Sequence, residues 1–199
     1  GMSLTSLNLS RLRRLTDLAP LQGMQLTQLN LKDCDELLDL GPLAGMPLTR
    51  LDLSDTKIAD LKPLTGIKLE WLDVSRTPAR DLTALAGMPL RSLNLESTKV
   101  INLGPLRGAP LLYLNLNSNG VREVTALTNM PLVTNLMRKT IVRDISALKG
   151  MRLQHLDCYK TPVENVAPLA GMTSLRLLDL RETGITTIAP LAGMPLDVL

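Results

Sequence analysis

Apolar positions recur along this chain with a short, fixed period. A leucine opens each unit at Leu4, Leu26, Leu48, Leu69, Leu90, Leu111, Leu132, Leu153 and Leu175, spaced 21 or 22 residues apart, and a tenth unit begins at Leu196. The unit reads L-x-x-L-x-L-x-x-T-x-I-x-x-L-x-P-L-x-G-M-P, and Leu90 to Pro110 is its clearest copy. The L-x-L alternation has period two, which predicts a short strand with both leucines directed inward. Pro20, Pro42, Pro63, Pro105, Pro168 and Pro190 stand where a second short element begins. Proline suits the first turn of a helix, and the few residues left before the next unit predict a 3₁₀ turn.

The remaining slots fit the same picture. The position eight residues after the leading leucine holds Cys34, Thr56, Thr77, Thr98, Asn119, Thr140, Thr161 and Thr183. A small hydroxyl or amide there can satisfy backbone groups where the chain leaves the strand. Late in the unit stands Gly23, Gly45, Gly66, Gly87, Gly108, Gly150, Gly171 or Gly193, with Asn129 the one exception. Gly and Asn tolerate positive φ, so a left-handed turn is expected. Met follows in most units, a flexible filler between successive coils. One unit cannot bury its own leucines, so stacking must do it, giving one parallel sheet along one side of a coil. Nine strands at about 4.8 Å make a sheet roughly 43 Å long. No linker or shift in composition interrupts residues 1–199, which are read as one domain.

The slots L-x-x-L-x-L-x-x-T/N and P-L-x-G-M/L resemble those of the leucine-rich repeat family, and the unit length resembles its short bacterial, internalin-like class. Similar repeats occur in large bacterial proteins, some with a kinase domain elsewhere; no kinase motif is present here. The resemblance covers residues 4–199. It implies an α/β-type solenoid: a right-handed horseshoe with one parallel concave β-sheet and a convex side of short 3₁₀ turns and loops. It implies protein binding on the concave face and carries no catalytic residue.

Repeat 7 departs from the pattern. It reads Leu132-Val133-Thr134-Asn135-Leu136-Met137, with Asn in a core slot and Leu136 in an outward one. Either Asn135 is buried with partners, or a bulge turns Leu136 inward. Neither end shows a polar capping segment, which points to a segment of a longer protein or to end-to-end self-association.

The strand register places offsets two, four, six and seven from the leading leucine on the concave side. Offset four is nearly uniform (Asn8, Asn30, Asp52, Asp73, Asn94, Asn115, Leu136, Asp157, Asp179) and reads as a structural or solubility feature of the strands. Offsets two, six and seven vary more. All the aromatic residues, Trp71, Tyr113 and Tyr159, and the one histidine, His155, fall there. Tyr, Trp and Arg dominate binding hot spots, although strands favour aromatics in any case. The candidate partner surface is Trp71, Tyr113, Leu136, Arg138, Lys139, His155, Tyr159, Lys160, Leu177 and Arg181, densest in repeats 6 to 9.

Composition narrows the chemistry. Phe is absent and the net charge is +3, from 22 basic and 19 acidic residues. Without a concentrated basic stripe, nucleic-acid binding is not expected. No apolar run is long enough to cross a membrane. Gly1-Met2-Ser3 lacks the pattern of a signal peptide, and Gly before Met reads as a remnant of tag removal. Cys34 and Cys158 lie about six strands apart, near 29 Å, too far to pair. Two unpaired thiols slightly favour a cytoplasmic location. His155 and Cys158 sit on opposite faces of one strand and do not form a catalytic dyad. No phosphate loop or metal-ligand cluster appears, so no enzyme activity and no cofactor is expected. The reading is a non-catalytic module binding a protein partner on its concave face. The alternatives are a structural spacer or assembly element in a larger protein, and a glycan-binding surface.

Overall fold

The computed structural model describes residues 4–199; Gly1, Met2 and Ser3, read above as a tag remnant without a leader pattern, lie outside them. Each repeat contributes one short strand: β1 (Ser6–Asn8), β2 (Gln28–Asn30), β3 (Arg50–Asp52), β4 (Trp71–Asp73), β5 (Ser92–Asn94), β6 (Tyr113–Asn115), β7 (Thr134–Leu136), β8 (His155–Asp157) and β9 (Leu177–Asp179). They form one open parallel sheet in chain order. The register repeats without slippage, Leu7 facing Leu29, Leu29 facing Leu51, and so on across the sheet. Opposite the strands runs a row of 3₁₀ turns, from Ala19–Leu21 to Ala189–Leu191, most with proline in the first turn. Among the described residues there is no α-helix, and none long and apolar enough to cross a membrane. The tenth unit, opening at Leu196, sets Val198 beside Leu177 in a parallel bridge.

One continuous core fills the coil. The leucines of offsets three and five in the inner repeats, such as Leu51, Leu53, Leu93 and Leu95, are fully buried, while Leu7, Leu9 and Leu180 in the end repeats are partly so; Met46, Met88 and Met130 close the gaps between coils. The glycine slot behaves as the sequence predicts: Gly66 has φ +84° and Asn129 has φ 62°. A second left-handed position was not legible in the sequence. It lies at offset seven, where Asp55, Arg76, Ser97, Ser118, Lys139, Lys160 and Glu182 all have φ between 54° and 57°. None of these is glycine, so the strand exit holds each of them in a conformation that L-residues reach only against a steric cost.

What enforces that exit is a side-chain turn. The Oδ1 atom of the offset-four residue accepts the backbone N–H two residues on: Asp52 from Ser54 at 2.9 Å, Asp73 from Ser75 at 2.8 Å and Asn94 from Glu96 at 3.1 Å, with Asn8, Asn30, Asn115, Asp157 and Asp179 doing the same. Asp and Asn carry the same oxygen, which is why the column tolerates either and little else. The offset-eight threonines then donate to the carbonyl three residues back, as Thr77 does to Val74 at 2.6 Å. These bonds stay within a repeat and form no ladder between repeats. A third column precedes the 3₁₀ turn. There Asp17, Asp39, Asp60, Asp81, Asn102, Asp144 and Asn165 each accept the first N–H of the turn.

Repeat 7 resolves the choice posed by its sequence. The strand does not bulge: Asn135 faces Leu114 and Leu156 in ordinary register and is 0% exposed. Its amide is buried without partners; neither Oδ1 nor Nδ2 makes a hydrogen bond. Leu136 points outward and lacks the oxygen its column supplies elsewhere. The Arg138 N–H is instead accepted by Oδ1 of Asn117, reaching across from repeat 6 at 2.8 Å.

Two outcomes follow from this geometry. Asn135→Leu restores the core residue of both flanking strands and removes two unpaired polar atoms, so it should stabilise the fold by about 1–3 kcal/mol. A rise in the denaturant midpoint measures this; a fall would show that the amide is satisfied. Asn117→Ala should destabilise by about 1 kcal/mol by orphaning the Arg138 N–H, and Leu136→Asn should recover most of that loss. Equal effects of Asn117→Ala in both backgrounds would exclude the substitution of one turn for the other.

Candidate functional site

The strand face is built from three parallel columns. Offset two in repeats 7 to 9 brings Thr134, His155 and Leu177 side by side, and offset four brings Leu136, Asp157 and Asp179. Offset six, just past the strands, adds Arg138, Tyr159 and Arg181. Backbone spacing alone sets these neighbours about 4.8 Å apart.

Tyr159 is the hub. The Arg138 guanidinium lies 4.8 Å from its ring centroid, the Lys160 ammonium 5.2 Å and the Arg181 guanidinium 5.3 Å. Its hydroxyl donates to Glu182 Oε1 at 2.9 Å. Each cation also has a carboxylate: Arg138 with Asp157 at 3.4 Å, Lys160 with Glu182 at 3.1 Å, and Arg181 with Asp179 at 2.6 Å. Cations over an aromatic face are attracted by its quadrupole, and the acids fix their direction. The hydrogen bond from Tyr159, followed by that from Lys160, holds the Glu182 carboxyl below its ordinary range. The bond from Arg181 does the same for Asp179. Asp157 moves the other way: burial raises it, against the Tyr159 N–H and the Arg138 charge. Beside this ordered polar cluster stand two uncovered aliphatics, Leu177 at 39% exposure and the half-buried Leu136.

The structure brings together Leu136, Arg138, His155, Tyr159, Lys160, Leu177 and Arg181 of the predicted set. Lys139 stands at the rim in the left-handed conformation, its N–H bonded to the Tyr159 carbonyl. Tyr113 is two strands away from His155 and half-buried, with burial raising its hydroxyl pKa. Trp71 is apart from the cluster, four strands from His155, and its ring is stacked by Arg50 at 3.6 Å. Sequence reasoning left out Arg50, Asp157, Asp179 and Glu182 as site residues. The available signal was position: Arg50 shares the offset-two column with Trp71, Asp157 and Glu182 neighbour their cations one strand away, and Asp179 stands two residues before Arg181.

Both thiols are packed into the core. Cys158 is 0% exposed in a core slot, and burial pushes its pKa far up; Cys34 is also buried, its thiol raised by desolvation and donating to the Leu9 carbonyl at 3.3 Å. Both are free. No grouping of His, Cys, Asp and Glu among the described residues could hold a metal ion.

No family model and no curated protein matches the sequence. Solved structures do. An internalin, InlF from Listeria monocytogenes, superposes with a TM-score of 0.80 at 25% identity, covering 97% of this chain and 65% of that one. Internalin C2 from the same organism gives 0.73 at 24% identity, covering 89% and 77%. TLR13, in its complex with ssRNA13, gives 0.69 at 22% identity, covering 94% of this chain and 30% of that one. This chain thus spans just under two thirds of the InlF length. The unit length, the P-L-x-G turn, the open parallel sheet and these superpositions agree: the chain is a leucine-rich repeat solenoid of the short, internalin-like class.

Proposed function

We propose that residues 1–199 form one non-catalytic domain that binds a protein partner on the strand face of repeats 6 to 9. The observation that carries this reading is the Tyr159 cluster: three cations ordered around one half-buried aromatic, with the exposed Leu177 and the half-buried Leu136 beside them. Interfaces draw most of their energy from a few Tyr, Trp and Arg side chains around an apolar centre. Side chains already held by ion pairs lose less entropy on binding. General binding is also what the internalins and TLR13 make of this architecture. The RNA of the TLR13 complex belongs to that protein. Here each cation of the cluster is paired with a carboxylate, which disfavours phosphate and favours a partner with mixed polarity.

The test is site-specific photo-crosslinking. A crosslinker placed at Leu177 should give a discrete protein adduct, and one at Lys149, beyond the 3₁₀ row, should not. Tyr159→Ser should abolish the adduct by weakening affinity about 30-fold, the size of a hot-spot residue. Adducts that ignore Tyr159→Ser, or form equally at Lys149, would remove the strand face from consideration. Loss of the adduct on adding soluble glycans, with no effect of added protein, would favour a carbohydrate-binding surface.

A further inference from the structure

A second surface lies on the flank of the solenoid, where the chain leaves the strands for the 3₁₀ row. Three open troughs run along it, of about 450, 420 and 600 Å³. The first two share Ile101 and Asn102, and the last two share Arg122, so they make one continuous channel from Arg80 to Gly184. It touches six repeats, five strand spacings or roughly 24 Å.

The wall has two properties. It is apolar at its centre: Ile101 is 69% exposed and Ile141 42%, although neither is needed by the core. Gly120 creates the space between them. Its φ is not left-handed, so the turn does not require glycine; a Cβ there would stand 3.0 Å from Cγ2 of Ile101. The wall is also basic. Other cations of this flank pair with an acid one repeat away, as Lys57 does with Glu36 at 3.2 Å and, in the far trough itself, Arg143 with Glu164 at 3.3 Å. Arg80, Lys99, Arg107 and Arg122 have no such partner among the described residues, although they line the same troughs. The slot eleven residues after the leading leucine reads Arg80, Ile101, Arg122, Arg143 in consecutive repeats. Like charges thus stand next to one another, and an aliphatic side chain interrupts them.

We propose that this flank is a docking channel for an extended acidic peptide segment, its aliphatic residue seated against Ile101 and its carboxylates on Arg80, Lys99 and Arg122. About seven extended residues span it. Guanidinium groups without intramolecular acids are free to take carboxylates in paired geometry. A nucleic acid fits less well. No aromatic that could stack on a base lines the wall, and the exposed Ile101 at its centre suits an aliphatic side chain rather than a sugar-phosphate backbone. The far trough is bordered by Lys160 and Glu182 of the Tyr159 cluster. The residues that take the peptide, Arg80 to Arg122, line the other two troughs and touch none of that cluster, so the proposal does not depend on the function assigned there.

The probe is a fluorescein-labelled eight-residue peptide of alternating Glu and Leu, titrated with the full chain at low salt and followed by anisotropy. Saturable binding is expected, weakened at least tenfold by Ile101→Lys and by the pair Arg80→Glu and Arg122→Glu, and unchanged by Tyr159→Ser. The corresponding Lys-Leu peptide should not bind. All these side chains are exposed, and circular dichroism of each variant confirms that the fold is kept; Ile101→Ser, which adds no charge, should weaken binding by a smaller factor. Absence of saturation, or equal binding to the charge-reversed and Ile101 variants, overturns the proposal. Tighter binding of an eight-nucleotide single-stranded RNA at the same residues also overturns it, in favour of a nucleic-acid surface.

Discussion

Inside the solenoid each leucine at offset three is covered by the offset-three residues of the coils before and after it, leucine in every case but Asn135, and nothing else in a repeat can cover it. A unit of 21 or 22 residues has two layers, a strand of three residues and a 3₁₀ turn of three, with too little chain to enclose an interior. Burial is therefore shared between neighbours, and each interface must accept the shape of the previous one. This constraint fixes the regularity of the rest. It holds the strands in unslipped register, keeps methionine between coils, and demands that each chain reversal end at the same place.

The reversals are enforced by polar side chains acting locally. The Asx oxygen at offset four turns the backbone out of the strand, and the residue at offset seven is carried into left-handed φ as a result. Nine repeats absorb that steric cost at non-glycine residues, from Arg11 to Glu182. A column that reads on the page as a decoration of the strand face is thus part of the fold's own hydrogen bonding. It also removes most of the outward strand surface from consideration as a site, leaving offsets two and six as the free positions.

The fold was legible because period, proline and glycine each encode a backbone requirement that repeats nine times. Strand, 3₁₀ turn and left-handed glycine all appear where their residues predict. The offset-seven conformation was not legible, since Asp, Arg, Ser, Lys and Glu carry no common signature of positive φ; only the turn before them imposes it. The column before the 3₁₀ turn carries a weaker signal, since Asp and Asn are common in any loop and the slot is broken by Glu123 and Thr187. For the candidate site, one-dimensional offsets placed Arg138, Tyr159, Lys160 and Arg181 on one face. Which cation meets which acid depends on side-chain reach between repeats. Offsets do not contain that, so Asp157, Asp179, Glu182 and Arg50 emerged only from the geometry.

Repeat 7 is where the structural and functional constraints meet. Its Asn135 and Leu136 have exchanged the polarities that every other repeat assigns to those slots. A one-residue slip would correct both, but it would turn Met137 outward and break the ladder on either side. The register holds, so the exchange leaves an unpaired amide in the core and an aliphatic side chain on the surface. Both departures fall in the strand adjoining His155 and Arg138, within the densest part of the candidate surface. Local rules are broken preferentially where something other than stability is being served. The compensation by Asn117, which supplies the missing turn bond from the preceding coil, keeps the exit geometry intact around Leu136. A defect with its own repair, located within the patch of the half-buried Leu136 and Tyr159 and the exposed Leu177, supports assigning the patch to binding more strongly than aromatic placement does, because aromatics would favour strands in any case.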